Sequence, residues 1–340
     1  MTAALLFGAS TPLAKRLIGD IEPLVLAGLL YVGSALGLGS AIGLRRVFHA
    51  SAPVVWPRWP DVPWLVGATV AGGMLGPVLL LYGLARMPAA TVSLLLNLEA
   101  VLTVLLAWFA FHENVDRRIA LGMALIVAGG VVLALAPGVQ MDGIGTLLVA
   151  GACLCRAVDN NLTRKVATLD PLVVAGLKGA VAGPTIIAAA LAFGDHLPPA
   201  DATLAALAVG VFAYGASLAL FVVALRELGT ARTSAYFSVA PFFGAAMAIA
   251  VLGEPASSGL FLAGALMGVG VWLHLTERHG HRHVHEAIAH THAHRHDDLH
   301  HAHTHDLGWD GTEPHTHAHV HASVTHSHPH YPDIHHRHPH

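Results

Sequence analysis

Residues 169–177 read LDPLVVAGL and residues 21–29 read IEPLVLAGL, nearly the same string 148 positions apart. At an offset of 141, Leu84, Ser93, Glu113, Ala124, Leu125 and Gly129 align with Leu225, Ser234, Glu254, Ala265, Leu266 and Gly270. Acidic, proline and glycine positions recur along with the apolar ones, which chance likeness between greasy segments does not produce. Each copy holds five apolar spans, as counted below. Five is odd, so the second copy enters the membrane in the opposite sense to the first. That is the plan of inverted repeats, with a site near the midplane between the halves and motion by rocking.

Composition places the chain in a bilayer. Of its 340 residues 54% are hydrophobic and 11% charged, with a mean hydropathy of +0.60. No soluble core needs that much apolar surface. Apolar runs predict ten spans, at roughly 2–18, 23–44, 63–85, 89–111, 117–136, 143–164, 171–193, 203–225, 230–252 and 257–276. The expected fold is therefore an all-α membrane protein of ten transmembrane helices, five plus five. Residues 1–136 form the first repeat, 142–276 the second, and 277–340 a His-rich tail expected to be disordered without metal.

Charge sets the orientation. With the N-terminus inside, the inner loops collect Arg45, Arg46, Arg58, Arg117, Arg118, Arg164, Lys165, Arg226, Arg232 and Arg278, and the outer ends only Lys15, Arg16 and Arg86. The positive-inside rule then puts both termini in the cytoplasm and the protein in the cell's inner (plasma) membrane. Met1 leads straight into TAALLFGAS without a basic n-region, so no cleaved leader is expected.

The first span FGASTPLAKR (7–16), the fourth span LLLNLEAVLTVLLAWFAFHE (94–113) and the ninth span VAPFFGAAMAIAVLGE (239–254) resemble EamA-type transporters of the drug/metabolite transporter superfamily. The resemblance covers about residues 1–276. It implies ten helices, cytoplasmic termini and export or exchange of small metabolites by alternating access, without naming the substrate. It departs at Pro241, whose repeat equivalent is Ala100, and at Glu99, where the family often carries an apolar residue or a nearby proline. Family members commonly place a basic residue in the second and seventh helices. Lys178 fits that pattern, whereas its equivalent in span 2 is Leu30.

Polar residues inside apolar spans are costly and so are read as functional. Residues 142–164, DGIGTLLVAGACLCRAVDNNLTR, carry Arg156, Asp159 and Asn160, three and four residues apart and hence on one helical face. The alternative is a cytoplasmic helix end, for which Arg164 and Lys165 are the better markers. Glu99 lies about ten residues into span 4 and could load a proton or pair with a buried cation. Lys178 could snorkel, pair with Asp159 or hold an anionic substrate. Glu99, Arg156, Asp159, Asn160 and Lys178 are thus the candidate substrate or proton path. Lys15 and Arg16 read as interface residues. The glycine pairs 33/37, 39/43, 179/183 and 264/268 read as helix contacts. Cys153 and Cys155 point to nearly opposite sides of one helix and cannot form a disulfide.

The tail holds 23 of the chain's 27 histidines. Its candidate metal ligands are His279, His281, His283, His285, His290, His292, His294, His296, His315, His317, His319, His321, His326, His328 and His330, since imidazole suits Zn, Ni, Co or Cu. No cofactor is required. The expected partners are a small-molecule substrate, lipid and metal ions, with a second copy of the chain as a candidate and no nucleic acid. An enzyme is not expected: His112–Glu113 begins like HExxH, but Asp116 stands where the second His belongs, and there is no P-loop. Two further readings stay open, divalent-metal efflux and a metal-sensing membrane receptor.

Overall fold

The structure is a computed structural model. It describes residues 1–48, 56–111, 116–166, 169–228, 233, 236–276, 279–285, 289–294, 315–320 and 324–330. The helices in chain order are α1 (Thr2–Leu17), α2 (Pro23–Phe48), α3 (Val62–Ala68), α4 (Gly76–Arg86), α5 (Ala89–Leu95), α6 (Leu98–Phe111) and α7 (Arg117–Leu135). After a short connection come α8 (Gly143–Thr163), α9 (Pro171–Ala192), α10 (Ala200–Val209), α11 (Ser217–Leu228), α12 (Ala240–Leu252) and α13 (Ser258–Leu275).

Seven helical segments among the described residues are long and apolar enough to cross a membrane. The other three expected spans fall short in length, in apolar character or in both. Helix α1 has 16 residues and α12 has 13. Helix α8 is long enough, with 21 residues, but bears the polar cluster in its last turns.

Two spans change their hydrogen-bonding register midway. Thr69–Leu75, between α3 and α4, and Gly210–Ala216, between α10 and α11, are π-helical. They begin 141 residues apart, the offset of the sequence repeat. Two other spans are interrupted by a turn, one at Leu96–Asn97 between α5 and α6, the other at Ser238–Val239 before α12. Such irregular backbone survives at membrane depth only where protein or a polar cavity satisfies it.

The bundle is held by close helix contacts across the two halves: α2 on α9, α7 on α13, α1 and α5 on α12, α8 on α4 and α6. Gly33 of α2 and Gly210 show how close these become, since a Cβ on either would run into the other helix's backbone. Gly183 and, less tightly, Gly179 of α9 pack against α2 in the same way. Without a hydrophobic force between helices in lipid, such backbone proximity is what binds them. Gly39 and Gly43 depart from the expectation, with open space beside each, and Gly264 and Gly268 make only ordinary contacts. Large apolar side chains such as Leu147, Phe193, Leu204 and Phe261 point outward, as a lipid-facing surface requires.

Strands β1 (His279–His285) and β4 (Val324–His330) pair antiparallel, and so do β2 (Ala289–His294) and β3 (His315–Val320). The physical reason is the period-two alternation of His with Val, Thr and Ala, which suits a pleated strand. The register sets His281 opposite His328 and His292 opposite His317.

Candidate functional site

The site is built at the interruption of span 4. Asn97 is buried, and both its backbone N–H and its Nδ2 donate to Leu94 O, at 3.1 and 2.9 Å. A side chain that bonds locally in this way competes with the helical ladder and tightens the turn. The helix restarts at Leu98, so Glu99 stands in the first turn of α6, where the helix dipole favours a carboxylate.

Glu99 reaches across to α8. Its Oε2 accepts from Arg156 Nε at 2.5 Å and its Oε1 from Asn160 Nδ2 at 2.9 Å. Asp159, on the adjoining strip of α8, accepts from Lys178 Nζ at 2.5 and 2.6 Å and from Thr163 Oγ1 at 2.9 Å. The shared face read from sequence therefore carries two separate ion pairs, Glu99–Arg156 and Asp159–Lys178. All four side chains are largely shielded, with 14–27% of their surface exposed. Two acids and two bases leave the site with no net charge.

An aromatic wall adjoins it. The guanidinium carbon of Arg156 is 5.5 Å from the centre of the Phe7 ring, which meets Tyr214 edge-on at 5.9 Å. Tyr31 lies 6.3 Å from Tyr214, and its hydroxyl donates to Gly72 O at 2.8 Å. Tyr214 belongs to the second π segment and Gly72 to the first, so both register changes abut the site. Asp159 lies directly against Gly72, where a Cβ would collide with its carboxylate. Tyr31, Tyr214, Arg156 and Pro77 line a narrow cavity of about 20 Å³.

Sequence reasoning named the five charged and polar members but not Phe7, Tyr31, Tyr214 or Gly72. A signal existed for the tyrosines, because Tyr at mid-span, away from the interfacial belts, lacks the usual amphipathic reason to be there. Lys15, read as an interface residue, also donates to the carbonyls that end α4. Cys153 and Cys155 are free, as expected. His296 and His321 lie outside the described residues, as do Glu113, Arg232 and Arg278.

The charges are not duplicated along with the chain. By the repeat offsets, Glu99 corresponds to Ala240, Arg156 to Gly8, Asp159 to Thr11 and Lys178 to Leu30. Gly8 nonetheless abuts Ala240, whose carbonyl a Cβ on Gly8 would strike. The same inter-helix contact thus occurs twice, once as an ion pair and once as bare backbone.

The profile of the EamA-like transporter family matches residues 1–135 and again residues 143–276. An uncharacterized transporter of Methanothermobacter thermautotrophicus is 27% identical over 291 residues, covering 80% of this chain and 84% of that protein. A "probable terminal-alkyne amino-acid exporter" of Streptantibioticus cattleyicolor is 25% identical over 257 residues, covering 74% and 83%. One crystal structure superposes with a TM-score of 0.58 at 24% identity, over 80% of this chain and 93% of the other, a likeness of fold.

Proposed function

The chain belongs to the EamA-like transporter family, and on that footing we propose that it is an inner-membrane exporter of a small metabolite or drug-like compound. It works by alternating access through ten spans in two inverted halves, with both termini in the cytoplasm. The observation that carries this reading is the Glu99–Arg156–Asn160 cluster at the broken fourth span. Broken helices and half-helix ends at mid-depth are where secondary transporters hold substrate. The cost of placing such charges in lipid, which pairing offsets only in part, argues that they serve a ligand or a proton.

Balanced charges beside tyrosine and phenylalanine suit a compound carrying both a carboxylate and an amine. Its carboxylate would take Arg156 from Glu99 while its amine takes Glu99 from Arg156, so no charge is left unpaired. The relative named as an amino-acid exporter supports this class. Uptake into everted vesicles tests it, with a panel of amino acids, amines, carboxylates and divalent metals. Transport of metals alone would overturn it.

The tail suggests a second element, metal-dependent regulation, because its register brings histidines opposite one another on paired strands. Zn, Ni, Co or Cu would bind there and modulate transport. Metal efflux through the bundle has less to support it, since among the described residues no three His, Cys, Asp or Glu side chains come together.

A further inference from the structure

Helix ends leave N–H and C=O groups without intrahelical partners. Where α4 runs into α5 only Met87 and Pro88 intervene, so two such ends lie side by side. Lys15 of α1 closes the first, its Nζ donating to Leu84 O at 2.7 Å and Met87 O at 3.0 Å. Glu254 closes the second, its two oxygens accepting from Ala89 N at 2.7 Å and Ala90 N at 2.8 Å. Each charge has the sign its helix end favours. Glu254 is aimed there by Gly253, whose φ of 68° ends α12 in the left-handed conformation.

These bonds join α1, α4, α5 and α12 at one end of the bundle. The same elements wall the site: α1 supplies Phe7, α4 lines the cavity, and α5 leads through Asn97 to Glu99. Glu254 also ties the second half of the sequence to the first, 165 residues away. The chemistry is suited to repeated breaking. Water can take over helix-end carbonyls and N–H groups when a mouth opens there, whereas an interdigitated apolar contact has no such substitute.

We propose that Lys15 and Glu254 form the closing contact of one gate, made when the cavity beside Arg156 is shut from that end and broken in every cycle. This rests on the alternating-access reading above. The test uses a single reporter, Leu80→Cys in the cavity wall, in a chain with Cys153→Ala and Cys155→Ala. A membrane-impermeant thiol reagent is applied to each face of oriented vesicles, and a separate Gln140→Cys chain identifies the face that bears Lys15. Glu254→Gln and Lys15→Met are expected to raise labelling of the reporter from that face about tenfold and to lower it from the other, as a shifted two-state equilibrium requires. Glu254→Asp, which keeps the charge, falls between. Unchanged labelling, or a rise from both faces together, would overturn the gate and indicate a loosened fold in the latter case. If the unmutated gate already labels from both faces but the variants move neither, alternating access stands and the gate alone fails. If no background labels from either face, the alternating-access reading fails and takes the gate with it.

Discussion

Glu99→Gln removes one charge from the site and almost no volume. The amide still offers an oxygen to Asn160 Nδ2, now at 2.9 Å, but Arg156 Nε, at 2.5 Å, loses its counterion. Arg156 keeps the Phe7 ring, 5.5 Å away, as a weaker partner. The pair is 27% and 21% exposed, between two limits. A surface pair contributes about 0–1 kcal/mol, and breaking a buried one costs about 3–5 kcal/mol. At an effective dielectric of ~20, charges ~4 Å apart attract by about 4 kcal/mol before desolvation is subtracted. Glu99→Gln and Arg156→Gln should therefore each destabilise the protein by about 1.5–3 kcal/mol. The double variant should lose less than the sum, by at least ~1 kcal/mol. Unfolding in lipid nanodiscs measures this, with transport assayed on the same proteins. Each single variant is expected to lose about tenfold or more in transport, and the double to regain stability without activity. Additivity within ~0.5 kcal/mol would refute the pairing.

Asp159→Asn and Lys178→Ala should each reduce transport while the protein still inserts, and Gly72→Ala should do the same by pushing the Asp159 carboxylate off Lys178; normal uptake by all three would place the site elsewhere. Cysteines at Gln140 and Asp195 should label from outside and ones at Arg46 and Arg278 should not, with labelling at position 278 from outside overturning the orientation. Gln140 serves better than Gly138, whose φ of 79° a cysteine would strain. A chain ending at Glu277 should transport normally but lose metal binding and any response to zinc, nickel or cobalt. In the intact chain bound metal should be released on mild acidification, because protons compete for imidazoles of pKa near ~6.5. Isothermal titration at neutral and acid pH reads the binding, and loss of transport on truncation would point to metal delivery instead.

The apolar runs and the repeated IEP and LDP strings made the membrane fold legible, because lipid demands long uninterrupted hydrophobicity and duplication preserves marked positions. The intramembrane charges were legible for the opposite reason: Arg156 and Asp159 stand out against residues that lipid would otherwise select. Their pairing was not fully legible. Helical periodicity fixes a face only to within about a hundred degrees, and Arg156 and Asp159 use its two edges to reach different helices. The capping bonds of Lys15 were not legible, because an interfacial lysine looks the same in one dimension whether or not it caps a helix end. The π segments gave no signal beyond their glycines, since one extra residue per turn changes no composition. Gly39 and Gly43 share the spacing of Gly33 and Gly37 but lie past the contact, which depends on where α2 leaves its neighbours.

The doubled contact between the halves, Glu99 with Arg156 on one side and Gly8 with Ala240 on the other, bears on the protein when nothing is bound. Two identical halves would make the inward and outward forms of a rocking carrier equivalent by a two-fold rotation and so equal in energy. Here the halves differ where they touch, one meeting through long charged arms and the other through backbone with no side chain to extend. Charged arms tolerate a few ångströms of separation, while a glycine contact is lost almost as soon as it parts. On the alternating-access reading the empty carrier therefore has a preferred posture, as a balance with unequal pans comes to rest on one side. Ligand works against that resting tilt, so entry and exit, each measured with substrate on one face only, should differ in KM and maximal rate, while the ratio of the two stays the same in both directions when no gradient is applied.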